Sequence, residues 1–243
     1  MKRLAFILVF VLSILQVAAY AQEVPSSARS REVIARIKPG LEREFAAAGL
    51  TRGSPIFIRI FKKEKRLEVW AWKDDCYHHF KSYPICTYGL KGLGPKLKQG
   101  DWKAPEGFYF VTPSQMNPSS NYHLAFNLGY PNKYDRAHGR TGGLLMVHGN
   151  CVSIGCYAMR DKRIEEIYTI ADAALRNGQP FFRVHIFPFE MTDKNMKKNK
   201  GNEWFSFWQN LKEGYDFFEE NRKPPNVEVQ NGKYIFSMPQ DES

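Results

Sequence analysis

Beyond its first two dozen residues the sequence has no apolar run long enough to cross a membrane, no internal repeat and no low-complexity tract. Neither a multi-spanning membrane protein nor a repeat architecture is therefore expected. Cysteine is scarce, with four in 243 residues, too few for a fold held together mainly by disulfides. Acidic residues are the other shortage: 25 stand against 35 lysines and arginines, a formal charge of +10. No nucleic-acid recognition motif accompanies that excess, so nucleic acid is not expected as a partner. What is present suffices for a packed core. Hydrophobic residues make up 43% and aromatics 14%, and the length suggests one domain with appendages.

The one long apolar run is N-terminal. Lys2 and Arg3 precede an almost wholly apolar stretch over residues 4–19, and Ala19-Tyr20-Ala21 follows as a small-x-small cleavage pattern. That is the organisation of a secretory signal peptide over residues 1–21, cut near Ala21. An uncleaved anchor is the alternative, but the run is short for a span. The mature chain is expected to have no stable membrane span and to reside in the periplasm or be secreted. There a basic surface suits anionic wall polymer or lipid headgroups.

Residues 22–53 read as a flexible leader (22–30) and a helical arm, in which Val33, Ile34, Ile37, Leu41 and Phe45 recur at helical spacing. Pro39-Gly40 should break that arm or split it in two. From residue 54 the period drops to two. Residues 56–61 and 67–72 flank a charged turn at 62–66 and predict a β-hairpin. Further short strands are expected at 77–80, 107–112, 123–128, 144–147 and 183–187, separated by Gly- and Pro-rich loops. The pattern predicts a mixed, mainly β fold, a sandwich or partly open barrel. One helix should follow Asp161, its expected N-cap, with Ile164, Ile167, Ala171, Ala174 and Leu175 buried and Asn177-Gly178 as the stop. The catalytic unit is placed at 54–190. A helical C-terminal extension at 191–243 would contain a Lys-rich loop and then a helix with Trp204, Phe207, Trp208, Leu211, Tyr215 and Phe218 on one face.

The stretch 144–159, LLMVHGNCVSIGCYAM, concentrates the chemistry. A buried strand runs into His148-Gly149, and Gly155-Cys156 stands just before a helix, where a thiolate is favoured. A histidine closing a strand and a cysteine after a tight loop can meet as base and nucleophile. Other readings stay open on these residues alone. His148, Cys151 and Cys156 have a spacing short enough for zinc. Cys151 and Cys156 could form a small-loop disulfide, or each could be an ordinary core residue. Cys76 and Cys86, ten residues apart, are the other disulfide candidates in an oxidising compartment.

The segment HGNCVSIGCYAM resembles the active-site signature of the YkuD-type L,D-transpeptidase family, and most of all its YafK-like branch. Further segments carry the same resemblance: Tyr88-Gly89, GDWKAPEGFY over 100–109, and FNLGYPN over 126–132. The resemblance runs from about Ile56 to Pro188 and continues into the tail. It implies a YkuD-like fold and a cysteine acyl transfer on peptidoglycan stem peptides, with no cofactor and no metal. Cys156 would be the nucleophile and His148 the general base and acid. Gly155, Gly149 and Ser153 would serve the oxyanion and the orientation of the imidazole.

Two positions depart from the wider family. Ile154 stands where a second histidine precedes Gly-Cys, and Ala158 stands where an arginine follows the cysteine by two. Arg140, His138 and Arg160 are the candidate cations to replace that arginine, with Tyr130 and Asn127 as further substrate-side residues. The product could be a cross-link or an attached wall lipoprotein. Hydrolysis of the same bond by an L,D-amidase or peptidase is the alternative, and a metal-stabilised, non-catalytic wall-binding protein is the third.

Overall fold

The computed structural model describes residues 23–89 and 92–239; the expected signal peptide lies outside them. Helix α1 spans Ala28–Ala47 without a break. Ser27 and Ser30 close a capping box at its start, so order begins inside the segment expected to be a flexible leader. Pro39 stays within the helix. It removes the donor for the carbonyl of Ala35, but both residues are on the exposed side, where water can serve. The opposite stripe of Val33, Leu41 and Phe45 is buried and keeps the helix whole.

Ten strands form two five-stranded sheets. The first contains β1 (Ile56–Phe61), β2 (Arg66–Lys73), β3 (Cys76–Pro84), β5 (Gly107–Val111) and β10 (Phe182–Phe187), in the order β3-β2-β1-β10-β5. The second contains β4 (Thr87–Tyr88), β6 (Met116–Asn117), β7 (Ala125–Asn127), β8 (Met146–His148) and β9 (Tyr157–Ala158), in the order β4-β9-β8-β7-β6. Both orders end in edge strands, so the fold is open rather than a closed barrel. A short helix α2 (Lys133–Ala137) follows β7, and α3 (Asp161–Arg176) follows β9.

The first sheet is covered on both faces at its centre, which explains why β1 reads IFIRIF with every position buried, while edge strand β3 is partly exposed. Alternate residues serve different cores. Ile56, Ile58, Ile60, Val184 and Ile186 join Ile164, Ile167, Ala171, Phe126, Val147 and Tyr157 between the sheets and α3. Phe61 and Phe187 pack instead with Phe108 of β5 and with Trp208, Leu211 and Tyr234 from the C-terminal extension.

That extension is more than helical. Helix α4 (Asp193–Lys198) occupies most of the expected Lys-rich loop, and α5 (Phe205–Asn221) carries the predicted aromatic face onto the sheet. The chain then closes with a hairpin of β11 (Asn226–Gln230) and β12 (Lys233–Ser237). Its turn is Asn231-Gly232, both at positive φ, the dipeptide that favours a two-residue hairpin loop. Gly214 of α5 lets this layer close: a Cβ there would stand 2.5 Å from ring atoms of Phe108 and of Phe236. Among the described residues no helix is long and apolar enough to cross a membrane.

One residue of the expected charged turn behaves unlike its neighbours. Lys62 is fully buried, its Nζ donating to Glu106 Oε1 at 2.9 Å, Gly94 O at 2.8 Å and Ala104 O at 3.0 Å. Glu106, also fully buried, accepts from Gly94 N at 2.8 Å and from Trp208 Nε1 at 2.9 Å. Burial lowers the Lys62 pKa, and the Glu106 carboxylate opposes that shift. Glu106→Ala should therefore cost about 3–5 kcal/mol by stranding a buried ammonium. Guanidinium unfolding checks this, and a loss under about 1 kcal/mol would contradict the role given to the pair.

Candidate active site

Strands β8 and β9 run parallel, with Val147 opposite Tyr157 and His148 opposite Ala158. Val147 and Tyr157 face the core. Strand alternation, continued one residue back from β9, therefore puts Cys156 on the same face as His148 and two residues apart in level. At rest Cys156 Sγ accepts from Met146 N at 3.4 Å and donates to Leu144 O at 3.7 Å rather than bonding the imidazole.

His148 is 2% exposed. Its Nδ1 lies 2.6 Å from Gly149 O, and a carbonyl only accepts, so Nδ1 carries the proton and Nε2 keeps its lone pair. The ring of Tyr122 covers the imidazole at 4.7 Å between centroids. Burial holds His148 below the ordinary imidazole pKa, against the raising effect of the Gly149 carbonyl. Burial likewise pushes the Cys156 thiol up, opposed by the Met146 N–H bond and the nearby charge of Lys96. The resting pair is thus a neutral thiol beside a neutral imidazole.

The loop before Cys156 is shaped by Ser153. Its Oγ accepts from Gly89 N at 3.2 Å and Gly155 N at 3.0 Å, and donates to Cys156 O at 2.6 Å. Gly155, at φ +149°, could not hold a Cβ without crowding Lys103 O at 3.1 Å. Gly149 orients His148 through its carbonyl, while its own N–H donates to Tyr122 O and Leu124 O. Asp161 is not the N-cap that was expected. Arg160 takes that position at φ +68°, and Asp161 Oδ1 accepts from Asn150 N at 2.7 Å, tying α3 to the loop between His148 and Cys156.

The cysteine pairing also differs from expectation. Cys86 is bonded to Cys151, with Cα atoms 5.6 Å apart, while Cys76 and Cys156 are free. The nine-residue strand β3 lies between Cys76 and Cys86 and keeps them on the order of 25 Å apart. Strand β4 instead lays Cys86 beside β9, where its N–H donates to Ala158 O at 2.8 Å. With Cys151 in a disulfide, the His148–Cys151–Cys156 zinc arrangement and the Cys151–Cys156 bridge both lose a member. Among the described residues no cluster of three or more His, Cys, Asp or Glu could hold a metal.

The expected substrate-side residues divide. Asn127 lies on β7 opposite Met146 of β8, its Oδ1 turned to Gly129 N. Arg160 is exposed beside the loop, its N–H donating to Asn150 O. Arg140 is engaged elsewhere, buried against Asp135 at 2.7 Å and over the rings of Tyr134 and Phe207. His138 stacks on Tyr134, and Tyr130 is buried with its hydroxyl on Lys96 O and Thr141 O. Sequence reasoning missed Tyr122 and Lys96. Neither belongs to the cysteine motif, and only the fold brings them to it.

A family model for the YkuD L,D-transpeptidase catalytic domain matches residues 55–186. The chain belongs to this family. YafK of Escherichia coli strain K12, whose name assigns it provisionally to the L,D-transpeptidases, is 52% identical over 187 residues, covering 77% of this chain and 76% of its own. Among solved structures, the helical cell shape determining protein Pgp2 of Campylobacter jejuni aligns with a TM-score of 0.45 at 20% identity, covering 78% of this chain and 80% of that one. Bd1075 of Bdellovibrio bacteriovorus aligns with a TM-score of 0.41 at 18% identity, covering 73% and 78%.

Peptide mapping of unreduced protein should recover Cys86 linked to Cys151, while Cys156 takes up iodoacetamide without reductant. Reduction should cost about 2–4 kcal/mol of stability. A Cys76–Cys86 peptide, or Cys156 in any disulfide, would refute the assignment.

Proposed function

We propose that the chain is an exported cysteine acyl-transfer enzyme of peptidoglycan. Cys156 is its nucleophile and His148 its general base and acid. The reading rests on one observation above others: a cysteine and a histidine share a face of two adjoining parallel strands, with the imidazole held in the tautomer that leaves Nε2 basic. Family membership supplies the reaction class, and the basic composition suits an anionic polymer.

In this mechanism Sγ leaves its contacts with Leu144 and Met146 and attacks the carbonyl at the L-centre of a diaminopimelate residue, passing its proton to His148 Nε2. Backbone N–H groups at Gly155 and Cys156 hold the oxyanion. For Gly155 this means exchanging Ser153 Oγ for the substrate oxygen. His148 returns the proton to the leaving amine, and a thioester remains on Cys156. An incoming amine resolves it in cross-linking or protein attachment, and water resolves it in hydrolysis. Arg160 and Asn127 serve the substrate side.

Purified protein incubated with wall digests, followed by mass analysis of the muropeptides, tests the proposal. Cys156→Ala should abolish product and His148→Ala should lower the rate about 10²–10⁴-fold, with far-UV circular dichroism unchanged. New cross-linked species identify a transpeptidase, and their loss without new dimers identifies an amidase. No Cys156-dependent change in any digest would sink the enzymatic reading.

The pH dependence has a fixed sign. Burial disfavours the imidazolium, so His148 stays neutral into mildly acid solution, and activity should fall only below about pH 6.5. Cys156 alkylation should go on rising above about pH 8.5, because burial disfavours the thiolate. A plateau of alkylation already at neutral pH would instead indicate a preformed thiolate–imidazolium pair.

A further inference from the structure

Helix α1 lies outside the family match, yet it is bonded to the loop that covers the candidate base. That loop, residues 118–124, links β6 to β7. Ser27 Oγ donates to Pro118 O at 2.8 Å. Arg29 Nη1 donates to two loop carbonyls, Ser120 O at 2.9 Å and His123 O at 2.7 Å. One helical turn beyond the next, Arg36 meets Glu165 Oε1 at 2.8 Å, and the same carboxylate oxygen lies 2.9 Å from His123 Nε2.

The other side of the loop faces His148. The Tyr122 ring lies over the imidazole, and Tyr122 O accepts from Gly149 N at 3.0 Å, the residue whose carbonyl fixes Nδ1. His123 holds φ at +71°, a left-handed backbone that a non-glycine residue keeps only where its surroundings impose it. The two carbonyls bound by Arg29 bracket Tyr122 in the chain.

We propose that α1 is a positioning arm for His148 and that Arg29 is its positioning residue, holding the two carbonyls that flank Tyr122 so that Tyr122 fixes and covers the imidazole. This rests on the reading of His148 as the base. Arg29 is exposed and its helix is anchored independently by Val33, Leu41 and Phe45, so removing the guanidinium should leave α1 docked. The loop would then sample other arrangements and let water reach the ring. The remaining groups around His148 are Cys156 just before β9, Asp161 at the start of α3 near Gly149, and the His123–Glu165 pair.

Histidine-labelled protein lets the His148 ring be titrated by nuclear magnetic resonance in the full mature chain, without reference to activity. In Arg29→Ala and Tyr122→Ala the midpoint should move up toward the ordinary imidazole value, because the ring is better hydrated. On wall substrate, kcat should fall about 10-fold while KM stays within about twofold. Arg29→Lys should recover part of the loss, since one ammonium replaces a fork of donors. Arg31→Ala, two residues along the same helix, should leave both readouts unchanged.

An unmoved His148 midpoint in Arg29→Ala would overturn the proposal, as would an equal shift in Arg31→Ala. A shifted midpoint with an unchanged rate would uphold the arm and overturn His148 as the base.

Discussion

The buried pair of Lys62 and Glu106 is the constraint on which the site's surroundings depend. An ammonium and a carboxylate removed from water are tolerable only if each finds further partners. Here they do: two carbonyls for Lys62, and a backbone N–H and the Trp208 indole for Glu106. Those partners come from the first hairpin, the segment from Gly94 to Glu106, and helix α5. The pair therefore fastens three distant parts of the chain at one point. The middle one backs the loop before Cys156, with Lys103 O against Gly155 and Pro105 O accepting from Tyr157 at 2.7 Å. Tyr88, whose ring lies 5.6 Å from the ammonium, stands opposite Tyr157 in the second sheet. The C-terminal layer thus reaches the surroundings of Cys156 through this ion pair and through Trp204, whose ring lies 5.3 Å from Lys103 Nζ.

Burial favours the uncharged forms of both Cys156 and His148 in the same site. In the proposed reaction this favours a proton that moves as the sulfur attacks. Such a mechanism asks for an imidazole already in the right tautomer and orientation. Gly149 O, Tyr122 and, through the loop, α1 provide that. It also asks for a loop that does not collapse when Sγ moves. Ser153 and the Cys86–Cys151 bridge brace that loop from β4, on the side away from His148.

The strands of the first hairpin, the helix after Cys156 and the aromatic face of α5 were legible because each shows a strong period against turn residues. The candidate pair was visible as a motif, since HGNCVSIGC keeps its residues within nine positions. What sequence reasoning missed depends on contacts between distant segments. Lys62 reads as a surface turn residue until Glu106, 44 positions away, is brought beneath it. Cys86 finds Cys151 across 65 residues because β4 adds to the edge of β9. Strand β3, nine residues long, separates Cys76 from Cys86 although only ten positions divide them in sequence. Asn231-Gly232 did carry a local hairpin signal, and it was passed over beside the stronger helical pattern. Arg140 and His138 had the right charge, but Asp135 and Tyr134 already engage them.

The two departures from the wider family acquire a physical reason in this architecture. An arginine two residues after the cysteine would occupy the place of Ala158, which is fully buried, paired with His148 on one side and with Thr87 on the other. Strand β4, pinned by Cys86–Cys151, closes that place to a long charged side chain. At Ile154, where a second histidine would stand, the side chain is 69% exposed. Leu144 and Val152 beside it are 73% and 50% exposed. The exposed surface on the loop before Cys156 is therefore aliphatic at the position where a second histidine would be polar. In the reaction proposed above, a substrate would shed water against that surface, and His148 would be the motif's one imidazole to serve whichever nucleophile resolves the acyl-enzyme.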